Sequence, residues 1–190
     1  MRIIDLHQIW CMMRIQNILI KLEDRQKASF TTLLGLFKLN IMFFGMCNSP
    51  ATFRAFMDNL FEDYITEGWL ITYMNNLLIH SSNQETHNEC TWKVLQHFQE
   101  QKMYLKLEKC MFSAKEVEYL GIIVGKGGVQ MDPVRLKAIW EWSPPANIKA
   151  IWSFLGFCNF YWKFIPSFSN IACPLLDLTK QPTSWTQRPD

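Results

Sequence analysis

The stretch GWLITYMNNLLIHSS, residues 68–82, places Asn75 and Asn76 between two short apolar runs, WLITYM and LLIHSS. Both runs are strand-like, the first with Trp69, Ile71, Thr72 and Tyr73, and Asn tolerates the left-handed backbone that tight hairpins need. The stretch therefore predicts a β-hairpin turning at Asn75-Asn76. Gly68 in front of it is a good stop for a preceding helix.

That helix is legible upstream. In SPATFRAFMDNLFEDYITEG (49–68), Ser49 suits a cap and Pro50 a first turn, and Phe53, Phe56, Met57, Leu60, Phe61 and Tyr64 recur at helical spacing. Before it, IQNILIK (15–21) suits a strand, and KASFTTLLGLFKLNIMFF (27–44) reads as two strands turning around Gly35. After the hairpin, QETHNECTWKVLQHFQEQKM (84–103) predicts a second amphipathic helix, with Trp92, Leu95, His97 and Phe98 near its apolar side. VEYLGIIV and VQM flank a Gly-rich turn, GKGG, as a second hairpin.

From Asp132 the texture changes to helices broken by proline. Asp132 and Asn147 suit N-caps, IKAIWSFLGFCNFYWKFI (148–165) reads as a long, mostly buried helix, and SNIACPLLDLTK (169–180) as a last short one. The pattern predicts an α+β fold with an antiparallel sheet and packed helices, followed by a helical segment, with the boundary near residue 131.

Bulk properties limit the classes available. The chain has 190 residues, 49% of them hydrophobic, enough for one ordinary core or a modest two-part body. A net charge of +2 makes no strong claim on nucleic acid. Six cysteines without a CxxC spacing, and no secretory signal, predict reduced thiols and an intracellular protein. No segment is apolar for long enough to span a bilayer, so no membrane partner is expected. The four His are scattered and read as structural or surface residues.

Five segments fix the family: FFGMCNSPATF (43–53), ITYMNNLLIHS (71–81), LEKCMF (107–112), VEYLGIIV (117–124) and SFLGFCNFYWKFIPSFS (153–169). In this order and spacing the chain resembles the reverse transcriptase of gypsy-type LTR retrotransposons. The resemblance runs from about residue 15 to 185, from mid-palm through the thumb or connection region. It implies a partial palm over 1–131, with most of the fingers missing, and a thumb- or connection-like segment over 132–190. It also implies an ancestral RNA-directed DNA polymerase acting on an RNA or DNA template–primer.

In such enzymes a primer 3′-hydroxyl attacks a nucleotide α-phosphate with two Mg²⁺ ions, held by clustered hard oxygen ligands. The family supplies one early palm carboxylate and an adjacent pair in the pattern Tyr-x-Asp-Asp. Here that pattern reads Tyr73-Met74-Asn75-Asn76. Without gaps the early carboxylate falls at Trp10; with a local insertion Asp5 fills the role. The aromatic gate against ribonucleotides falls at Ile15. On this reading no catalytic carboxylate is intact, no metal is expected in this copy, and polymerisation is largely or wholly lost; the alternatives are a non-catalytic nucleic-acid-binding module and a residually active polymerase that uses Asp5.

Other positions fit better. The resemblance places Phe44 and Gly45, with Tyr73 and Met74, beside nucleotide and template. Pro50 opens their supporting helix, and Leu120 and Gly121 stand at the grip on the primer end. Gly45, Pro50, Leu120 and Gly121 serve equally as turn and sheet-packing residues. Arg54 stands where the family has Gln. Trp152, Trp162 and Cys173 stand where it has Arg, which weakens any phosphate track; aromatic stacking on single strands is one role open to the tryptophans, and core packing is the expected one. Asp to Asn, Arg to Trp and Arg to Cys can each arise from a single C-to-T or G-to-A transition. Decay by cytosine deamination would produce that pattern, and transversions in these codons would contradict it.

Overall fold

The computed structural model describes residues 5–180, which divide into two compact units meeting at Tyr119/Leu120. The first unit holds β1 (Asp5–Trp10), β2 (Ser29–Thr32), β3 (Gly35–Lys38), α1 (Ser49–Leu60), α2 (Glu62–Thr66), β4 (Leu70–Tyr73), β5 (Asn76–Ser81), α3 (Gln84–Glu100), β6 (Met111–Ala114) and β7 (Glu116–Tyr119). Its main sheet is antiparallel, in the order β4-β5-β1-β6. The fold is α+β, as the sequence predicts.

Pleating explains the core. Ile9 and Cys11 in and after β1, Leu77 and Ile79 in β5, and Leu70 in β4 share one sheet face and are buried. Phe53, Met57 and Phe61 and, from α3, Cys90, Val94 and Phe98 complete the same apolar cluster. On α3 the buried residues are His87, Cys90, Thr91, Val94 and Phe98, a helical stripe. Trp92 falls off that stripe and is exposed, not apolar-facing as expected.

Local chemistry decides where elements start and stop. The expected helix 49–68 breaks at Phe61 (φ −116°, ψ 21°) into α1 and α2, and it begins after Asn48. Ser49 instead donates its hydroxyl to the Phe43 carbonyl, 3.1 Å away, tying the preceding loop to the helix. Residues 15–21 form no strand. Arg14 N–H donates to the Asn17 side chain at 2.8 Å, closing a short 3₁₀ turn, Ile15–Asn17. The strand of the central sheet lies earlier, at Asp5–Trp10.

β2 and β3 form a hairpin exposed on both faces, with Leu33 and Leu34 at its tip.

Three of the four histidines gather rather than scatter. His7 and His87 have ring centroids 4.1 Å apart, His7 Nδ1 is 2.9 Å from Thr91 Oγ1, and His87 is fully buried. Burial, then His87, pushes the pKa of His7 down to about 4, against a weaker opposing pull from Asp5. Burial lowers His87 and His80 as well. A histidine with a depressed folded pKa binds fewer protons than the unfolded chain below about pH 6.5. Stability is therefore expected to fall as pH drops from 6.5 towards 4, on the order of 3 kcal/mol from His7 alone. Urea midpoints at pH 7 and pH 5 measure this, and His7→Gln should flatten the slope. An unchanged slope contradicts the assignment.

The second unit holds β8 (Ile122–Gly125), β9 (Gly128–Met131), α4 (Pro133–Trp140), α5 (Ile148–Phe160) and α6 (Phe168–Lys180). Asp132 and Asn147 cap α4 and α5, accepting from Val134 N–H at 2.9 Å and Ala150 N–H at 2.8 Å. Ile151, Leu155 and Ala172 are the core between α5 and α6. The expected long buried helix ends at Phe160, and only Ile151, Leu155 and Cys158 within it are buried. Trp152 and Trp162 are exposed, at 54% and 53%: Trp152 flanks the buried Ile151–Leu155–Cys158 stripe of α5, and Trp162 lies beyond it in a 3₁₀ turn, Trp162–Phe164. Core packing is therefore not their role. Cys173 is exposed as well. Among the described residues no helix is long and apolar enough to cross a membrane.

Candidate functional site: the β4–β5 hairpin

The β4–β5 hairpin turns at Met74-Asn75, one residue earlier than Asn75-Asn76, because Tyr73 pairs with Asn76. This register puts Leu77 and Ile79 into the main apolar cluster and Leu78 on the opposite, also buried, face. Met74 has φ +55° while Asn75 does not enter the left-handed region. A positive φ at the first central residue alone marks a II′-type turn, which matches strand twist but strains a non-glycine residue.

β1 brings Trp10 to this turn. Trp10 lies directly opposite Asn76 in the β1–β5 ladder. Cys11 N–H donates to the Asn75 carbonyl at 2.9 Å, and Asn75 Nδ2 lies 3.5 Å from the Cys11 carbonyl. Asp5 is at the other end of the strand, opposite Ser81, roughly 17 Å away at 3.3 Å per residue. Its field acts instead on His7 and His87. The structure thus brings Trp10, Asn75 and Asn76 together and leaves Asp5 out.

The nearest charges to the turn are Lys109 and, further off, the Arg54–Asp58 pair. Lys109 Nζ sits 4.1 Å from the centroid of the Trp10 ring, a cation–π contact. Tyr119, which sequence reasoning did not single out, donates its hydroxyl to the Asn76 carbonyl at 3.4 Å. Burial, chiefly, raises the Tyr119 pKa, with Asp58 and Tyr73 adding to it, so it stays protonated. Asn76 Oδ1 is buried with no hydrogen-bond partner among the described residues. Arg54 lies 5.9 Å from the Tyr73 ring and 3.5 Å from Asp58, whose other oxygen accepts from Thr72 at 2.6 Å. Arg54 is therefore engaged on α1 and β4.

Phe44 is exposed, and Gly45 beside it has φ +102°, in the turn that leads to Pro50 at the start of α1. In the second unit, Leu120 and Gly121 both have positive φ, 54° and 81°. The Gly121 carbonyl accepts from the Tyr161 hydroxyl at 3.2 Å, and a Cβ on Gly121 would meet that oxygen at 3.2 Å. Gly121→Ala is expected to destabilise the chain by about 1–2 kcal/mol through the forced φ and the crowded hydroxyl. A melting midpoint equal to the parent's would contradict this.

The model of the family described as reverse transcriptase (RNA-dependent DNA polymerase) matches residues 4–124. The chain belongs to the reverse transcriptase family. It is 32% identical over 164 residues to the retrovirus-related Pol polyprotein from transposon opus of Drosophila melanogaster, covering 86% of this chain and 16% of that protein. With the Pol polyprotein from transposon gypsy of the same fly, identity is 33% over 158 residues, 83% of this chain and 15% of that one. With the transposon Tf2-7 polyprotein of Schizosaccharomyces pombe (strain 972 / ATCC 24843) it is 27% over 186 residues, covering 98% and 14%. The chain thus spans about a sixth or less of these relatives.

Among solved structures, the foamy viral protease-reverse transcriptase in complex with RNA/DNA hybrid superposes with a TM-score of 0.82 at 22% identity, over 97% of this chain and 25% of that one. A form of it in complex with double-stranded DNA gives 0.82 at 23%, over 95% and 31%. These likenesses support the fold.

Reverse transcriptases use Mg²⁺, and the donors at this hairpin do not fit it. An indole offers no ligand, and two carboxamides offer neutral oxygens where two dications need anionic ones. Among the described residues no group of three or more His, Cys, Asp or Glu could hold a metal ion.

Proposed function

We propose that this chain is a reverse transcriptase scaffold that engages template–primer nucleic acid without nucleotidyl transfer. The observation that carries the reading is the strand register, which sets Trp10 opposite Asn76 and beside Asn75. At the three positions that carry carboxylates in the family, all formal negative charge is absent. The Lys109 ammonium adds a positive charge against Trp10. Two dications brought into such a site would find no carboxylate at the three positions, and the nearby Asp58 is already paired with Arg54.

Binding is the part that does not need those charges. The foamy viral relatives of this fold are in complex with RNA/DNA hybrid and with double-stranded DNA. In the proposed complex Phe44, Gly45, Tyr73 and Met74 face nucleotide and template, and Leu120 and Gly121 the primer end. Titration of a labelled RNA–DNA hybrid with this chain should give saturable binding that weakens with salt. The affinity should be the same in Mg²⁺ and in EDTA. No binding at low salt, or a strict need for Mg²⁺, would overturn the reading.

A further inference from the structure

Between α5 and α6 lies an open cavity of about 200 Å³, lined by Trp152, Leu155, Asn159, Phe168, Ala172 and Leu176. We propose that it is a binding site for one unpaired base of a single-stranded nucleic acid. The proposal does not depend on the chemistry of the β4–β5 hairpin.

Its shape and lining carry the argument. The cavity is smaller than the roughly 300–1,000 Å³ of drug-sized sites and suits a single planar ring. Its lining is apolar except for the exposed Asn159 amide. An amide presents one donor and one acceptor side by side, the pattern that reads a base edge. Trp152 forms one wall, and its exposed ring offers a face for stacking. Gly156, one turn further on, leaves open space in which a Cβ would meet nothing within 4 Å.

Charge selects the occupant. α5 and the 3₁₀ turn Trp162–Phe164 carry Lys149 and Lys163 and no carboxylate. The single acid of α6, Asp177, is bonded to Lys180 at 2.8 Å. Residues 120–190 hold seven Lys or Arg against four Asp or Glu, while residues 1–119 hold twelve against thirteen. An anionic strand therefore suits this face better than an apolar peptide. A duplex keeps its base faces stacked and cannot present them to Trp152. A second stacking surface is available at Trp162, with Lys163 Nζ 5.8 Å from its ring.

The test is fluorescence anisotropy of the full chain with three probes: a labelled oligothymidylate, an abasic strand of equal length, and the matching duplex. The oligothymidylate is expected to bind about tenfold more tightly than the abasic strand. Trp152→Ala should remove that advantage, Trp152→Phe should restore most of it, and Trp92→Ala, exposed on α3, should leave it intact. Melting curves establish that each variant is folded. Equal binding of abasic and thymidylate strands would overturn the proposal, as would full affinity in Trp152→Ala. Self-association that Trp152→Ala abolishes, with no oligonucleotide binding, would assign the groove to a second copy and overturn it too.

Discussion

Aspartates introduced together at Trp10, Asn75 and Asn76 are expected to create a divalent-cation site that the parent chain lacks. The β1–β5 register brings the three positions together, so the variant restores three anionic groups to one end of the sheet. Metal binding to the folded state alone would stabilise it, by about 2.7 kcal/mol at a hundred times the dissociation constant. For a chain of this size that is a rise of roughly 5–10 °C in melting temperature on adding Mn²⁺. The parent should not shift. Asn75→Asp with Asn76→Asp should shift less than the triple variant, because Trp10 offers no ligand and holds Lys109 close. Asn76→Asp also charges a buried, unpartnered oxygen, so without metal the variants should melt below the parent. Trp10→Asn, with three neutral side chains at the site, separates the loss of the indole from the gain of charge. An Mn²⁺ shift in the parent equal to that of the triple variant would contradict the argument from charge.

Phe61→Ala is expected to cost about 3–5 kcal/mol, a large part of the 5–15 kcal/mol that holds an ordinary domain together. Phe61 is 1% exposed and sits at the break between α1 and α2. Its ring centroid lies 5.5 Å from that of Phe98 and 5.3 Å from that of His97. Truncation would open a cavity where the two helices meet α3. Leu33→Ala, at the fully exposed hairpin tip, should change stability by less than about 0.5 kcal/mol. Urea unfolding of both variants measures the contrast; a Phe61→Ala midpoint close to that of Leu33→Ala would contradict this account of the core.

What the sequence made legible follows from how local each signal is. Asp132 and Asn147 cap their helices as read, because a cap needs only its own first turn. The α+β class and the two Gly-marked hairpins are local in the same sense. The turn position was missed by one residue, since Asn75-Asn76 looks like a loop until the pairing of Tyr73 with Asn76 is known. Which of Trp10 and Asp5 lies beside Asn75-Asn76 is not legible in the sequence, because it depends on strand pairing across more than sixty residues of chain. Asp5–Trp10 was missed as a strand, and Trp152 and Trp162 were expected inside. Apolar character alone does not tell which stripe of α5 turns inward. The His7–His87 contact and the Tyr119 bond to Asn76 are likewise long-range, and no motif announces them.

The most direct test of the central claim is extension of a labelled primer on an RNA template by the parent chain, with Mg²⁺ and separately with Mn²⁺. The register of Trp10, Asn75 and Asn76 predicts no product above the enzyme-free control in either metal. Nucleotide addition by the parent at a rate matching that of the triple aspartate variant would contradict it.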